Sequence, residues 1–275
     1  MLNLEKLYQK PIVFQRLTGL TPIKFKQLVE KIDPLFKETD YQRKNYPNRK
    51  RKVGGGTQYK LSVAQALFIL LLYYRTYTSH IFIGMIAGIH DSNVCRYFRR
   101  IQPLLAQIFR IPERKLKITE DEILELIVDA TEQESQKRKG SGYSGKKKKN
   151  TVKTQIMVTH DGKIKSVSKS VIGNMHDKRL YDNTGAYTTT KVTRKGDLAY
   201  IGTSCQTPIK KKKNTPLTEY QKSFNKQFSR SRITVEHVFA HLKKFNILNH
   251  KFRNSISTYN LIFKNIAGIR NLQLA

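Results

Sequence analysis

The segment VAQALFILLLYYRTY, residues 63–77, is apolar on nearly every side. A helix of that kind has no face to give to water, so other elements must enclose it. Ser62, immediately ahead, offers a side-chain oxygen to the free backbone N–H groups of a first turn and predicts where the helix starts. The longest unbroken apolar run, Ala66 to Tyr74, is nine residues, far short of the roughly 20 that cross a bilayer. The segment therefore predicts the centre of a helical domain and not a membrane anchor.

The shell for that helix is visible on both sides. Thr21-Pro22 opens a helix that carries Phe25, Leu28, Val29, Ile32 and Leu35 at helical spacing. A polar, basic stretch from Lys37 to Lys60, with Gly54-Gly55-Gly56 near its end, then reads as a loop. It suits contact with phosphate and a solvated interdomain connection equally. After the apolar segment, FIGMIAGIHDSNVCRYFRRIQPLL has the form of a helix-turn-helix. One helix ends near Gly88, a turn runs through His90-Asp91, and Ser92 can cap the next. That second helix turns Val94, Tyr97, Phe98 and Ile101 inward and presents Asn93, Arg96, Arg99 and Arg100 outward. Such an exposed set is what a helix in the major groove of DNA needs, although basic three-helix cores also occur without that role.

Charge narrows the choice of partner. The chain has 275 residues with 52 Lys and Arg against 20 Asp and Glu, a net charge of +32. An excess of that size calls for a polyanion, with nucleic acid ahead of a membrane surface. The first residues, MLNLEKLYQK, show no apolar secretory stretch. Cys95 and Cys205 form no spaced metal or disulfide pattern. A cytoplasmic, nucleoid-associated protein with no membrane partner is the expectation.

From Lys115 the pattern changes. ILELIVDATEQ is a run of β-formers that ends on acidic residues, and KTQIMVTHDGKIKSVSKSVIG reads as a hairpin around His160-Asp161-Gly162-Lys163. Between them QKRKGSGYSGKKKKNTVK has no acid; Lys146, Lys147, Lys148 and Lys149 are its densest part, beside Lys137, Arg138, Lys139 and Lys153. A second basic run, Lys210, Lys211, Lys212 and Lys213, precedes a helical tail from about Pro216. The expected class is α+β: a helical helix-turn-helix domain over residues 1–115, then an α/β domain over 116–275, with the boundary between Ile111 and Glu120.

A chain this basic needs a reason to keep carboxylates where phosphates would sit, and a divalent cation is the usual one. Asp129 follows Ile123-Leu124, Leu126 and Ile127-Val128, at the expected exposed end of a central strand. Asp197 stands among bases in RKGDLAYIG, and Glu236 lies on the flank of the apolar stripe Val235, Val238, Phe239, Leu242, Phe245. Taken singly, each also suits a plainer role. Asp129 could be an ordinary strand-end residue, Asp197 a turn residue, and Glu236 an i,i+4 partner of Arg232. His176-Asp177 could line a site or anchor a loop. His237 and His241 are four apart but lack the HExxH pattern and a third ligand, which argues against zinc.

Taken in order, IVDATEQ, YSGKKKKNTVKTQ, GNMHD, GDLAYIG and SRITVEHVFAHLKKFNIL resemble the DDE transposases of the insertion-sequence-five and Harbinger-like group. With the helix-turn-helix half, the likeness runs from about residue 15 to the end. The acids stand 68 positions apart from Asp129 to Asp197 and 39 from Asp197 to Glu236. Ala130 and Ala199 stand where the family favours glycine, and Asn150 where it favours histidine. None of these removes a candidate ligand.

The resemblance implies a ribonuclease-H-like catalytic fold in which Asp129 ends the first strand, Asp197 a later one, and Glu236 comes from a following helix. It implies that these three hold magnesium, or manganese in its place, as two ions. It further implies a homodimer on double-stranded DNA that binds its element's terminal inverted repeats, cuts there and joins the ends to target DNA. Two readings compete: a non-catalytic helix-turn-helix regulator derived from such an enzyme, and an RNA-directed nuclease. The enzyme reading requires the three carboxyl groups to converge.

Overall fold

The computed structural model describes residues 2–50, 52–54, 58–116, 125–137, 142–184, 187–188 and 192–274. Gly55, Gly56, Ile123, Leu124, Arg138 and Lys139, which figure in the sequence reading, lie outside the described residues. The chain divides into two compact units. One is Met1–Arg110 with Phe245–Ile247, the other Ile111–Lys244 with Leu248–Ala275.

The first unit is helical: α1 (Leu4–Tyr8), α2 (Pro11–Thr18), α3 (Pro22–Lys44), α4 (Val63–Thr76), α5 (His80–Ala87) and α6 (Asp91–Phe109). The apolar segment is α4, buried from Ala66 through Tyr74 and packed against α2, α3, α5 and α6. Ser62 and Gln65 form a reciprocal capping box at its start, which satisfies backbone donors at both positions. Thr21 caps α3 as the sequence predicts. That helix, however, runs to Lys44, so the basic loop begins eight residues later than Lys37. Local pairs hold the added turns: Asp33 with Lys37 at 2.5 Å, and Asp40 with Lys44 at 2.6 Å and Arg43 at 2.8 Å.

The helix-turn-helix is α5, a turn and α6. Gly88 closes α5 in the left-handed region at φ +68°, where glycine carries no steric penalty. His90, not Ser92, caps α6. The His90 backbone is extended, its carbonyl starts the helix, and its ring nitrogen accepts from the Ser92 N–H at 3.3 Å. Val94, Tyr97, Phe98 and Ile101 are buried, as the stripe predicts.

In the second unit, β2 (Glu125–Glu134) is central. It pairs antiparallel with β4 (Lys149–Val158) on one edge and parallel with β8 (Thr193–Lys195) on the other. The far edge of β4 takes three short strands in turn: β3 (Gly142–Ser144), β6 (Val171–Ile172) and β5 (Ile164–Val167). β4 and β5 form the expected hairpin, with Gly162 at φ +80° in its turn. A separate parallel pair joins β1 (Lys115–Leu116) to β7 (Tyr187–Thr188).

The remaining helices are α7 (Asp177–Thr184), α8 (Glu219–Lys243), α9 (Asn246–Asn249) and α10 (Ile256–Leu274). α8 packs on β2, and α10 on β5 and α8. The Asn271 side chain of α10 bonds both backbone groups of Ile164, at 2.8 and 2.7 Å, and so ties that helix to β5.

Asp129 does not end its strand. β4 pairs residue by residue with β2 from Ile127 through Glu134, which satisfies the backbone well past the aspartate. The interruption is on the other edge. β8 pairs only Glu125, Leu126 and Ile127, and the next backbone bonds there run between Phe252 and Glu134 and Gln136. Asp129 sits in that gap.

The turn geometry makes one expectation. A Cβ on Gly84 would lie 2.6 Å from the Ile89 carbonyl oxygen, whereas one on Gly88 would meet nothing within 4 Å. Gly84→Ala should therefore prise α5 from the turn and cost about 1–3 kcal/mol despite its better helix propensity. Gly88→Ala should cost only about 1 kcal/mol for the left-handed backbone. Thermal melts of the two variants check the order; an equal or smaller loss for Gly84→Ala refutes this account of the turn.

Candidate active site

The gap in the β2 edge leaves the Asp129 carboxylate mostly enclosed, with its side chain 21% exposed. One oxygen accepts from the Ala130 N–H at 2.7 Å, and the other from Arg232 of α8 at 3.3 Å. Burial pushes its pKa up to about 6. The Ala130 bond and the Arg232 charge oppose the rise, while the charges of Asp197 and Asp177 add to it. Three aspartates thus lie within reach of one another's charge, with one long arginine contact as counter-charge for the buried one.

Asp197 follows β8 and caps the single 3₁₀ turn Leu198–Tyr200, accepting from the Ala199 N–H at 2.9 Å. Tyr200 anchors this turn. Its ring is buried with Leu126, Val128, Met157 and Tyr181, and it lies so close to Gly196 that a Cβ there would approach within 2.8 Å. Burial, then the charges of Asp129, Asp177 and Asp197, push its hydroxyl pKa well up, so it stays protonated amid the three acids. That hydroxyl is buried and, among the described residues, has no hydrogen-bond partner.

Asp177 begins α7 and pairs with Lys153 of β4 at 3.0 Å. The same lysine donates to the Met175 carbonyl at 2.8 Å, so it fixes the loop as well as the acid. His176 and Asp177 line an open groove of about 600 Å³ with Ala130, Glu132, Ala199 and Phe239. Lys146, Lys147, Lys153 and Lys243 also line it, which makes the groove basic around an acidic corner. Gly173 is required here, because a Cβ would collide with the Thr151 hydroxyl and the Glu132 carboxylate.

The candidate residues are not all gathered. Glu236 is exposed on α8, one turn beyond Arg232 and on the same side of the helix. It is not the partner of Arg232, whose bond goes to Asp129 instead. Among the described residues no group of three or more His, Cys, Asp or Glu side chains stands in metal-binding geometry. Lys148 is exposed, and Lys149 is held by Glu134 at 2.7 Å, an acid shared with Lys251 at 3.1 Å. Lys210, Lys211, Lys212 and Lys213 are exposed between β8 and α8. In the first unit Arg96 bonds Asn93 at 3.0 Å, Arg99 is exposed, and Arg100 bonds the Tyr59 hydroxyl at 2.6 Å.

Arg232, Lys153 and Tyr200 are residues of this site that the motifs did not single out. Arg232 stands four before Glu236 in SRITVE, a spacing that suggests a local pair and hides a link to a strand 103 positions away. The donors suit a hard divalent cation. They are carboxylate oxygens, and the most enclosed of them, on Asp129, has its pKa raised first by burial and then by the charges of Asp197 and Asp177, a repulsion that added positive charge would relieve.

Comparison with known proteins places the chain in a family. Residues 127–271, which include Asp129, Asp197 and Glu236, match the family model described as DDE superfamily endonuclease. Residues 59–111 match the helix-turn-helix of DDE superfamily endonuclease. A probable transposase for insertion sequence element IS702, from Microchaete diplosiphon, is 31% identical over 274 residues, covering 95% of this chain and 94% of the relative. No solved structure matches the chain. On these matches, with a helical helix-turn-helix unit ahead of a mixed-sheet unit, the chain belongs to the DDE superfamily endonucleases.

Proposed function

We propose that this endonuclease is the transposase of a mobile element, one that binds terminal inverted repeats, cuts there and transfers the strands to target DNA. The observation that carries the reading is the buried Asp129, facing the charges of Asp197 and Asp177 beside a basic groove. The curated relative, named as a probable insertion-sequence transposase along nearly its full length, supports it. So does β2, flanked by one antiparallel and one parallel neighbour, which suits a ribonuclease-H-like fold.

In this reading Asp129, Asp197 and Glu236 hold the cation, Glu236 completing the set from the helix that already reaches Asp129 through Arg232. Magnesium or manganese, as two ions, would activate the attacking oxygen and stabilise the leaving one during in-line displacement. Lys146 and Lys147 hold the DNA backbone in the groove, and Lys210–Lys213 extend that field. Asp177, clamped by Lys153, and His176 position the loop beside the acids. Asn93, Arg96 and Arg99 on α6 face the major groove. Two copies act together, one at each element end. Among the described residues no helix is long and apolar enough to cross a membrane.

The alternative, a DNA-binding regulator without chemistry, draws on the exposed and unclustered Glu236. Nicking separates the two. With the DNA that flanks this gene as substrate, the wild-type chain should nick in magnesium. Asp129→Asn, Asp197→Asn and Glu236→Gln should each lower the rate by about a thousandfold or more while binding persists. Undiminished nicking by these variants, or none by wild type in magnesium or manganese, refutes the enzyme reading.

The raised pKa of Asp129 gives a second expectation. An acid near 6 in the folded chain and 3.8 in the unfolded one binds its proton more tightly when folded. Its contribution to stability is therefore full below about 4 and is lost as pH rises through 6, by about 3 kcal/mol. Without metal, wild type should melt higher at pH 5 than at pH 7.5, relative to Asp129→Asn, which lacks this dependence. Magnesium at pH 7.5 should restore the difference. Parallel pH profiles for the two proteins would contradict the burial of this carboxylate.

A further inference from the structure

The first unit carries a polar cluster that neither its core nor its motifs explain. Tyr59 donates its hydroxyl to the Asp40 carboxylate of α3. The same oxygen accepts from Arg100 of α6 at 2.6 Å and from Arg43 at 3.4 Å. Asp40 is further held by Arg43 at 2.8 Å and Lys44 at 2.6 Å. The cations also cover the Tyr59 ring, with Arg100 5.1 Å and Lys44 5.2 Å from its centroid.

The direction of donation is fixed by chemistry. Burial and then the Asp40 bond push the Tyr59 hydroxyl pKa up, so it remains a donor. Burial also raises the Asp40 carboxyl, but bonds from Lys44, Tyr59 and Arg43 outweigh it and hold the group well below the usual range. The chain of bonds therefore runs from Arg100 to Tyr59 to Asp40. It orients the guanidinium without placing a carboxylate against it; among the described residues, Arg100 forms no ion pair.

Arg100 then lines a notch of about 210 Å³ beside residues 58–60, with Lys60, Arg96, Asn93 and Gln58. Three cations and two amides line this notch and no acid does. Its charge and small size suit one phosphate group.

We propose that this notch binds a backbone phosphate of duplex DNA, with Arg100 as the clamp and Tyr59 and Asp40 as the residues that hold it in position. The assignment rests on the reading of this unit as DNA-binding. It gives Arg100 a different task from Arg99 on the same helix: a guanidinium pinned at the edge of α6 sets register on the duplex, while Arg99, outside the notch, is left for base edges.

The test uses a labelled mixed-sequence duplex and fluorescence anisotropy across a salt series, with the full-length chain. Asp40→Asn adds net positive charge, so the overall field alone predicts tighter binding. A relay predicts the opposite, a loss of about three- to tenfold. Tyr59→Phe keeps the ring and the charge and should lose a similar amount. Arg100→Ala should lower the slope of log affinity against log salt by about one, and Tyr59→Phe should add nothing on that background. Thermal melts establish that each variant is folded; if Asp40→Asn is not, the isosteric Tyr59→Phe decides. Wild-type affinity in a folded Tyr59→Phe protein, or additive losses in the double variant, overturns the notch alone. No binding of duplex by wild type at low salt overturns the DNA reading and the notch with it.

Discussion

The candidate site of the second unit is arranged around one largely enclosed carboxylate. Asp129 lies in the middle of a fully paired strand, yet the β8 edge stops two residues before it and resumes only at Glu134. A carboxylate in such a gap is costly to keep charged, because water is largely excluded and the neighbouring acids repel it. The fold answers with a single backbone N–H and an arginine at 3.3 Å. This compensation is incomplete, and incompleteness of that kind is what makes a site receptive to a multivalent cation. A stronger fixed counter-charge would stabilise the protein and close the site.

The surrounding elements can be understood as supports for that gap. Tyr200 fastens the Asp197 turn to the core through its ring, at the expense of an unbonded hydroxyl. Lys153 fixes Asp177 and the Met175 carbonyl from the strand next to β2. α8 brings Arg232 to Asp129 and places Glu236 one turn further along. The first unit uses the same economy with the opposite sign. Its α4 is buried so completely that α3 and α6 can devote their outer faces to charge, and one acid, Asp40, holds Arg43 and Lys44 directly and Arg100 through Tyr59.

How much of this could be read from the sequence depended on whether the cause was local. The start of α4 at Ser62, the start of α3 at Thr21, the inward face of α6 and the turn at Gly162 all follow from short-range spacing and capping, and all stand in the structure. The extension of α3 to Lys44 was hidden because its acids and bases look like a solvated loop until they are paired four apart. His90 took the cap from Ser92 because an imidazole nitrogen can accept a first-turn N–H as a hydroxyl does. Asp129 was legible as a candidate, but its position within the strand was set by β4, more than 20 residues away in sequence. Arg232 and Lys153 act across the fold, and no spacing could have assigned them.

The distribution of acids sharpens the functional argument more than their number does. In a chain with a net charge of +32, bases are available nearly everywhere, and many of the acids have taken one. Glu134 holds Lys149 and Lys251, Glu125 holds Lys195 and His160, Glu113 holds Lys264, and Asp40 holds Arg43 and Lys44. Among the described residues, Asp197 accepts only from the Ala199 N–H and Glu236 forms no ion pair. Glu30, Glu132 and Asp182 likewise form none among the described residues, so what sets the site apart is that the charges of Asp197 and Asp177 act on a largely enclosed Asp129. Under the proposed reading, that negative charge is what a cation arriving with its substrate would meet. On the same reading the basic groove has a matching purpose, since Lys146 and Lys147 would bring phosphate to acids that otherwise repel it.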